Sequence, residues 1–174
     1  MKIVFIDAYN VINSWPNLKN LINDSELETS RKKLIETIEN YSSFKNYKSF
    51  IVFDAHRVKN SEEKEEFVGK NKSVSIVYTK GGETADSYIE RRVDELGKKY
   101  DVLVVTSDNL EQQTIFQRGA NRMPSLEFYN EVIKVEEAIR EKTKRNYAIN
   151  RNLLMDSLEE DVAKRLDDFR KRDL

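Results

Sequence analysis

Lys2-Ile3-Val4-Phe5-Ile6-Asp7 is a short, nearly continuous apolar run that ends in a carboxylate and leads straight into Ala8-Tyr9-Asn10. A run of this length without polar alternation is the pattern of a strand buried on both faces of a sheet. Ser49–Phe53, Ser73–Tyr78 and Val102–Thr106 repeat the pattern, which gives four candidate parallel strands. Ser25 and Glu28 form a capping box, and Leu27, Leu34, Ile35, Ile38 and Tyr41 follow at helical spacing, so a crossover helix joins the first two strands. Thr84–Tyr100 carries Ala85, Tyr88, Ile89, Val93 and Leu96 on one stripe, and Leu110–Arg118 carries Ile115 and Phe116 before Gly119 closes its end. Strands alternating with helices predict an α/β fold with a central parallel sheet flanked by helices, whose ligands sit beyond the carboxyl ends of the strands.

The rest of the chain reads as a helical C-terminal extension. Pro124-Ser125 opens a helix through Arg140, and Leu154, Leu158, Val162, Leu166 and Phe169 mark an amphipathic final helix. Between them, Arg140–Arg151 holds five basic residues against one acidic. With 5 Gly and 2 Pro there is little punctuation for a second domain, so residues 1–174 are expected to form one domain: a core over about 1–140 and an extension over about 140–174.

Composition narrows the chemistry. Thirty Lys and Arg against 31 Asp and Glu leave a net charge of −1, so any grip on nucleic acid must come from a local patch. The absence of cysteine excludes disulfides, a thiolate nucleophile and a Cys-based zinc site, and the single histidine, His56, excludes a His-rich metal cage. No apolar run is long enough for a signal peptide or a membrane span, so a soluble cytoplasmic protein without a membrane partner is expected. Neither Gly-x-x-x-x-Gly-Lys-Ser/Thr nor Gly-x-Gly-x-x-Gly nor Gly-x-Ser-x-Gly occurs, which removes P-loop, dinucleotide and α/β-hydrolase chemistry. Asp7-Ala8-Tyr9 also lacks the second aspartate of an aspartyl-phosphate phosphatase.

The residues just past each strand are more informative. Asp7 ends the first strand, Asp54 comes after the second, Asp108 after the fourth within Thr106-Ser107-Asp108, and Asp86 opens the helix after the third, just past Glu83. In a parallel sheet these five carboxylates meet at one edge. Two of them ~4 Å apart repel by about 4 kcal/mol at an effective dielectric of 20, so the group must protonate, separate or bind a cation, and hard oxygen ligands suit Mg²⁺ or Mn²⁺. The plainer use of a strand-end aspartate is to cap the next helix. Asn10 either orients a water or phosphate oxygen or caps the turn after the first strand; Thr106 and Ser107 either donate to phosphate or position Asp108, and capping of the Leu110–Arg118 helix is the plainer job for Ser107, Asp108 or Asn109. Lys80, Arg91 and Arg92 are candidate phosphate contacts, although Lys80-Gly81-Gly82 also fits a tight turn and such arginines are commonly solvated surface. Histidine is the residue type that can titrate near neutral pH, yet a lone surface histidine is the ordinary reading of His56.

Asp7-Ala8-Tyr9-Asn10-Val11-Ile12, Phe53-Asp54-Ala55-His56, Gly82-Glu83-Thr84-Ala85-Asp86 with Tyr88-Ile89-Glu90, and Thr106-Ser107-Asp108 with Glu111-Gln112 stand in the order of a known family. Over roughly residues 1–120 the chain resembles the YacP-like branch of the NYN domains, which are PIN-like nucleases; the basic segment and last helix resemble that family's C-terminal part. Ala8 departs from the Gly found there in many relatives and alters no carboxylate. The resemblance implies a metal-dependent endoribonuclease that associates with the ribosome and cleaves messenger RNA. It implies an acidic centre of Asp7, Asp86 and Asp108 with Asn10 close by, holding one or two Mg²⁺ or Mn²⁺ ions. Asp54 and Glu83 are expected as further metal ligands or water-orienting groups, and Lys142, Lys144, Arg145 and Arg151 as phosphate contacts, with Tyr147 stacking on a base. The competing readings are a non-catalytic RNA- or ribosome-binding module and a small-molecule phosphatase.

Overall fold

The structure, a computed structural model, describes residues 1–23, 27–54, 63–69, 72–107 and 119–157, together with 162, 165 and 168. The chain divides into two compact units, Met1–Glu136 and Glu137–Leu174. In the first, β1 (Lys2–Asp7) leads to α1 (Ala8–Ser14), α2 (Pro16–Asn23) and α3 (Leu27–Lys45), then β2 (Lys48–Phe53), β3 (Lys64–Val68), β4 (Val74–Tyr78), α4 (Ala85–Leu96), β5 (Asp101–Val105), β6 (Asn121–Met123) and the start of α5 (Ser125–Ser157). Six strands form one sheet in the order β3-β4-β2-β1-β5-β6, in which only β3 runs antiparallel to its neighbour.

The four apolar runs are the four central strands β1, β2, β4 and β5, and they are parallel as expected. The two outer strands carry no such run. Residues 64–67 of β3 are all exposed, charged apart from Phe67, and β6 has three residues. Helices α1 and α2 were also not anticipated, since each is short and they are separated by a single residue, Trp15, before Pro16 supplies the fixed φ favoured at a first helical position.

One core layer lies between the sheet and α4: Ile3, Phe5, Phe50, Val52, Val77, Val102 and Val104 pack with Ala85, Tyr88, Ile89 and Val93. The alternate residues face the other way, where Trp15, Leu18, Leu34, Ile38, Tyr41 and Phe128 are fully buried. Trp15 anchors that layer through ring contacts with Phe128 (5.8 Å) and Tyr129 (5.3 Å), and its Nε1 donates to the Ser125 carbonyl at 2.8 Å. With α1–α3 on one face and α4 on the other, the crossovers reverse between β1 and β5. That junction is where an open parallel sheet leaves a crevice.

Residues 140–151 are not a break between helices, as the sequence pattern suggests, but part of the continuous α5. They contain neither Gly nor Pro, and a Glu141–Arg145 pair at 3.7 Å and a bond from Thr143 Oγ1 to the Ile139 carbonyl at 2.9 Å run along the helix. The expected helix Leu110–Arg118, the residue Ser25 of the capping box, and most of the final amphipathic stretch lie outside the described residues.

Candidate active site

Side-chain alternation decides which carboxylates meet. Ile3 and Phe5 point to the α4 layer, and so does Asp7 two residues on; Phe50 and Val52 do the same on β2, and Asp54 continues their parity. Asp86 stands in the first turn of α4, which covers that face. Asp7, Asp54 and Asp86 therefore share one side of the carboxyl edge, close enough for both neighbours to act on Asp7. Burial pushes the Asp7 carboxyl up to about 6 from 3.8, and the charges of Asp86 and then Asp54 push the same way, against N–H groups of Asn10 and Tyr9 that favour the anion. Asp7 is at the same time the cap of α1, its Oδ1 accepting from the Asn10 N–H at 3.0 Å. Capping and acidic crowding are both true of this residue.

The site suits a divalent cation in chemistry: its donors are hard oxygens, and like charges are held together under partial burial. Among the described residues no three acidic or imidazole groups converge into a ready-made cage. Asp108 and His56 lie outside the described residues.

Glu83 is placed by a turn. Its N–H donates to the Lys80 carbonyl at 3.0 Å, Gly82 takes φ +86°, and Thr79 Oγ1 donates to the Glu83 carbonyl at 2.7 Å. Lys80-Gly81-Gly82 is thus the tight turn, with glycine where a positive φ is required. The Glu83 carboxylate, 11% exposed, is engaged by Arg91 at 3.2 Å, and Arg91 also reaches Glu63 at 3.2 Å. Its Oε2 is buried with no partner among the described residues. Arg92 pairs with Glu95 at 2.7 Å. Both arginines proposed for phosphate are therefore occupied by carboxylates, while Lys80 is exposed.

Asn10 holds elements together. Its Oδ1 accepts from the Ser107 N–H at 3.1 Å and from Ser125 Oγ at 2.8 Å, and Ser107 Oγ accepts from the Ser125 N–H at 3.1 Å. One amide oxygen so ties α1 to the end of β5 and the start of α5. Thr106 is fully buried and its N–H donates to the Met123 carbonyl at 3.2 Å, which keeps it from a substrate; Ser107 is exposed. Sequence reasoning missed Ser125 as the hub. Its only signal was the Pro-Ser pair at a helix start.

In the second unit Lys142, Lys144, Arg145 and Tyr147 are all exposed, Tyr147 by 76%. Arg140, Lys144 and Tyr147 recur at helical spacing, which puts them on one stripe of α5, and Arg151 lies one turn further along the same helix. No described helix is long and apolar enough to cross a membrane.

Comparison with known proteins gives consistent results. The family described as YacP-like NYN domain matches residues 4–171. The protein named Uncharacterized protein YacP of Bacillus subtilis (strain 168) is 36% identical over 175 residues, covering 100% of this chain and 99% of its own. The crystal structure of Rae1 (YacP) from Bacillus subtilis superposes with a TM-score of 0.70 at 35% identity, covering 100% of this chain and 97% of that one. A tryptophan-to-leucine mutant of the same protein superposes with a TM-score of 0.72 at 30% identity, covering 96% and 98%.

Proposed function

Because the chain belongs to the YacP-like NYN domain family, with its PIN-like nuclease fold, we propose that it is a metal-dependent endoribonuclease acting on single-stranded RNA. The observation that carries this reading is that Asp7 is held against its own ionisation by burial and by the charges of Asp86 and Asp54, which stand on the same side of the carboxyl edge. Asp7 and Asp86 would hold Mg²⁺ or Mn²⁺ together with Asp108, and Asp54 would orient water at the same edge. When bound, the ion supplies a Lewis acid that lowers the pKa of water and offsets charge on the phosphate. The protein's own residues set the stage: the α1 cap fixes the Asp7 carboxylate, Asn10 fixes the position of α1 against β5, and Arg91 keeps Glu83 turned toward itself.

The substrate setting follows from charge. A chain of net charge −1 whose Arg140–Arg151 segment is its one obvious basic patch grips free RNA weakly at physiological salt. Messenger RNA presented on a ribosome overcomes that weakness by raising the effective concentration at the acidic edge. Cleavage of one transcript, free and during translation, with Asp7→Asn as control, tests both parts. Metal-dependent cutting at defined positions on translated RNA is expected; no cutting in either setting sinks the nuclease, and equal cutting in both removes the ribosome.

The second reading is an RNA- or ribosome-binding module without turnover. Binding without cutting under Mn²⁺ would establish it.

A further inference from the structure

At the same carboxyl edge, on the face opposite α4, three aromatic rings stand in a row across the ends of β1, β2 and β4. Tyr9 meets Phe53 edge-on at 5.7 Å and 78°, and Phe53 stacks on Tyr78 at 5.5 Å and 19°. Arg31 of α3 closes the row from behind, its guanidinium 5.5 Å from the Tyr9 ring and 5.4 Å from the Phe53 ring, donating to the Tyr9 hydroxyl and pairing with Glu28 at 3.5 Å. Phe53 is completely buried, whereas Tyr9, Tyr78 and Arg31 are partly exposed. Arg31 Nε is buried with no acceptor among the described residues, so the guanidinium is held by ring faces more than by a full set of acceptors.

The position of the row gives it a use. Tyr9 is two residues from Asp7 and Phe53 is next to Asp54, so the rings flank an edge whose charge repels a phosphate backbone. Stacking is indifferent to that repulsion, because every base offers a π-face, and one base–aromatic contact is worth about tenfold or more in binding. We propose that the partly exposed rings of Tyr9 and Tyr78, backed by the buried Phe53 ring and braced by Arg31, form a stacking subsite for an unpaired nucleobase next to the phosphate held at Asp7. The subsite rests on the ribonuclease reading and deepens it: a base must leave its duplex to reach the rings, so the substrate is single-stranded at the cut.

The test uses the full-length protein and a defined single-stranded oligoribonucleotide, with an abasic nucleotide placed in turn on each side of the cut. Tyr78→Leu should raise KM about tenfold and leave kcat nearly unchanged, while Tyr78→Phe, which keeps the ring, should behave as the parent protein. One abasic position should cost the parent the same factor and cost Tyr78→Leu nothing further. That measurement on the parent needs no variant to fold. An RNA that is cut by Tyr78→Leu with the parent's KM, or an abasic penalty identical in both proteins, overturns the subsite and leaves the nuclease standing. A parent protein that neither binds nor cuts RNA overturns both.

Discussion

At the carboxyl ends of β1 and β2 the chain places Asp7 and Asp54, with Asp86 on the helix after β4; at the amino ends of β2 and β4 it places Lys48 and Lys72 instead. The amino end also holds a cavity of about 500 Å³, lined among others by Ser42, Asn46, Tyr47 and Phe67 and by no described carboxylate. Lys48 and Lys72 lie there over the rings of Phe50 and Phe67, at 5.3 and 5.4 Å. The cavity thus lies at the end lined by lysines, and the opposite end is the one that holds a carboxyl at about 6. A carboxyl held against ionisation beside two further carboxylates singles out the carboxyl end as the candidate site.

The contrast breaks most sharply at Asp7. Asp7→Asn or Asp86→Asn should lower RNA cleavage at least about a hundredfold, and undiminished cleavage by either would end the assignment of the acidic edge. Without metal, Asp7→Asn should also melt higher, since asparagine still caps α1 and a repelled charge is gone. Because the folded pKa is raised, the stability that Asp7 contributes is complete below pH 3.8 and is lost as pH rises through about 6. The variant should therefore gain on the parent across that window, by at most about 3 kcal/mol at pH 8, or several degrees. A gap that does not change with pH refutes the proposed origin.

Asn10 sharpens the comparison in the opposite direction. Asn10→Ala leaves the Ser107 N–H and the Ser125 hydroxyl without their acceptor and should cost about 2 kcal/mol or more in chemical denaturation. If only cleavage falls and stability holds, the residue acts on substrate rather than on the junction of α1, β5 and α5.

Much of this was legible in the sequence. Ile3-Val4-Phe5-Ile6 and its three counterparts marked the parallel centre, because a strand covered on both faces is a short apolar run rich in β-branched and aromatic residues, alternating here with helical patterns. The placement of Asp7 and Asp54 at the carboxyl edge was legible because strand ends are fixed once the strands are, and that of Asp86 because it opens the helix that follows β4. β3 was missed, since an exposed edge strand of Lys64, Glu65 and Glu66 obeys no burial pattern. The occupation of Glu83 by Arg91 and of Asn10 by Ser125 depends on contacts 8 and 115 residues apart, which periodicity does not encode.

Smaller effects are expected away from the acidic edge. Replacing Lys142, Lys144 and Arg145 by Ala should weaken RNA binding and reduce its log–log salt slope by about 2, three contacts at about 0.7 each. An unchanged slope in a salt titration makes this basic segment solvated surface. Smallest of all, Lys48→Ala with Lys72→Ala at the amino end should leave cleavage and melting as they are. A loss of cleavage there would overturn the division between the two ends.

The register of β1 has a consequence for the order in which the molecule comes into being. Val4 pairs with Ser49 on one side and with Leu103 on the other. At about 5–20 residues per second, the hundred or so residues from β1 to β5 take roughly 5–20 s to synthesise. Through that interval the central strand has one ladder bare, and its apolar residues are open to chaperones or to stray strands. The crevice between β1 and β5 is therefore a late product of translation, and a chain stopped short of β5 carries Asp7 but no junction to hold it in.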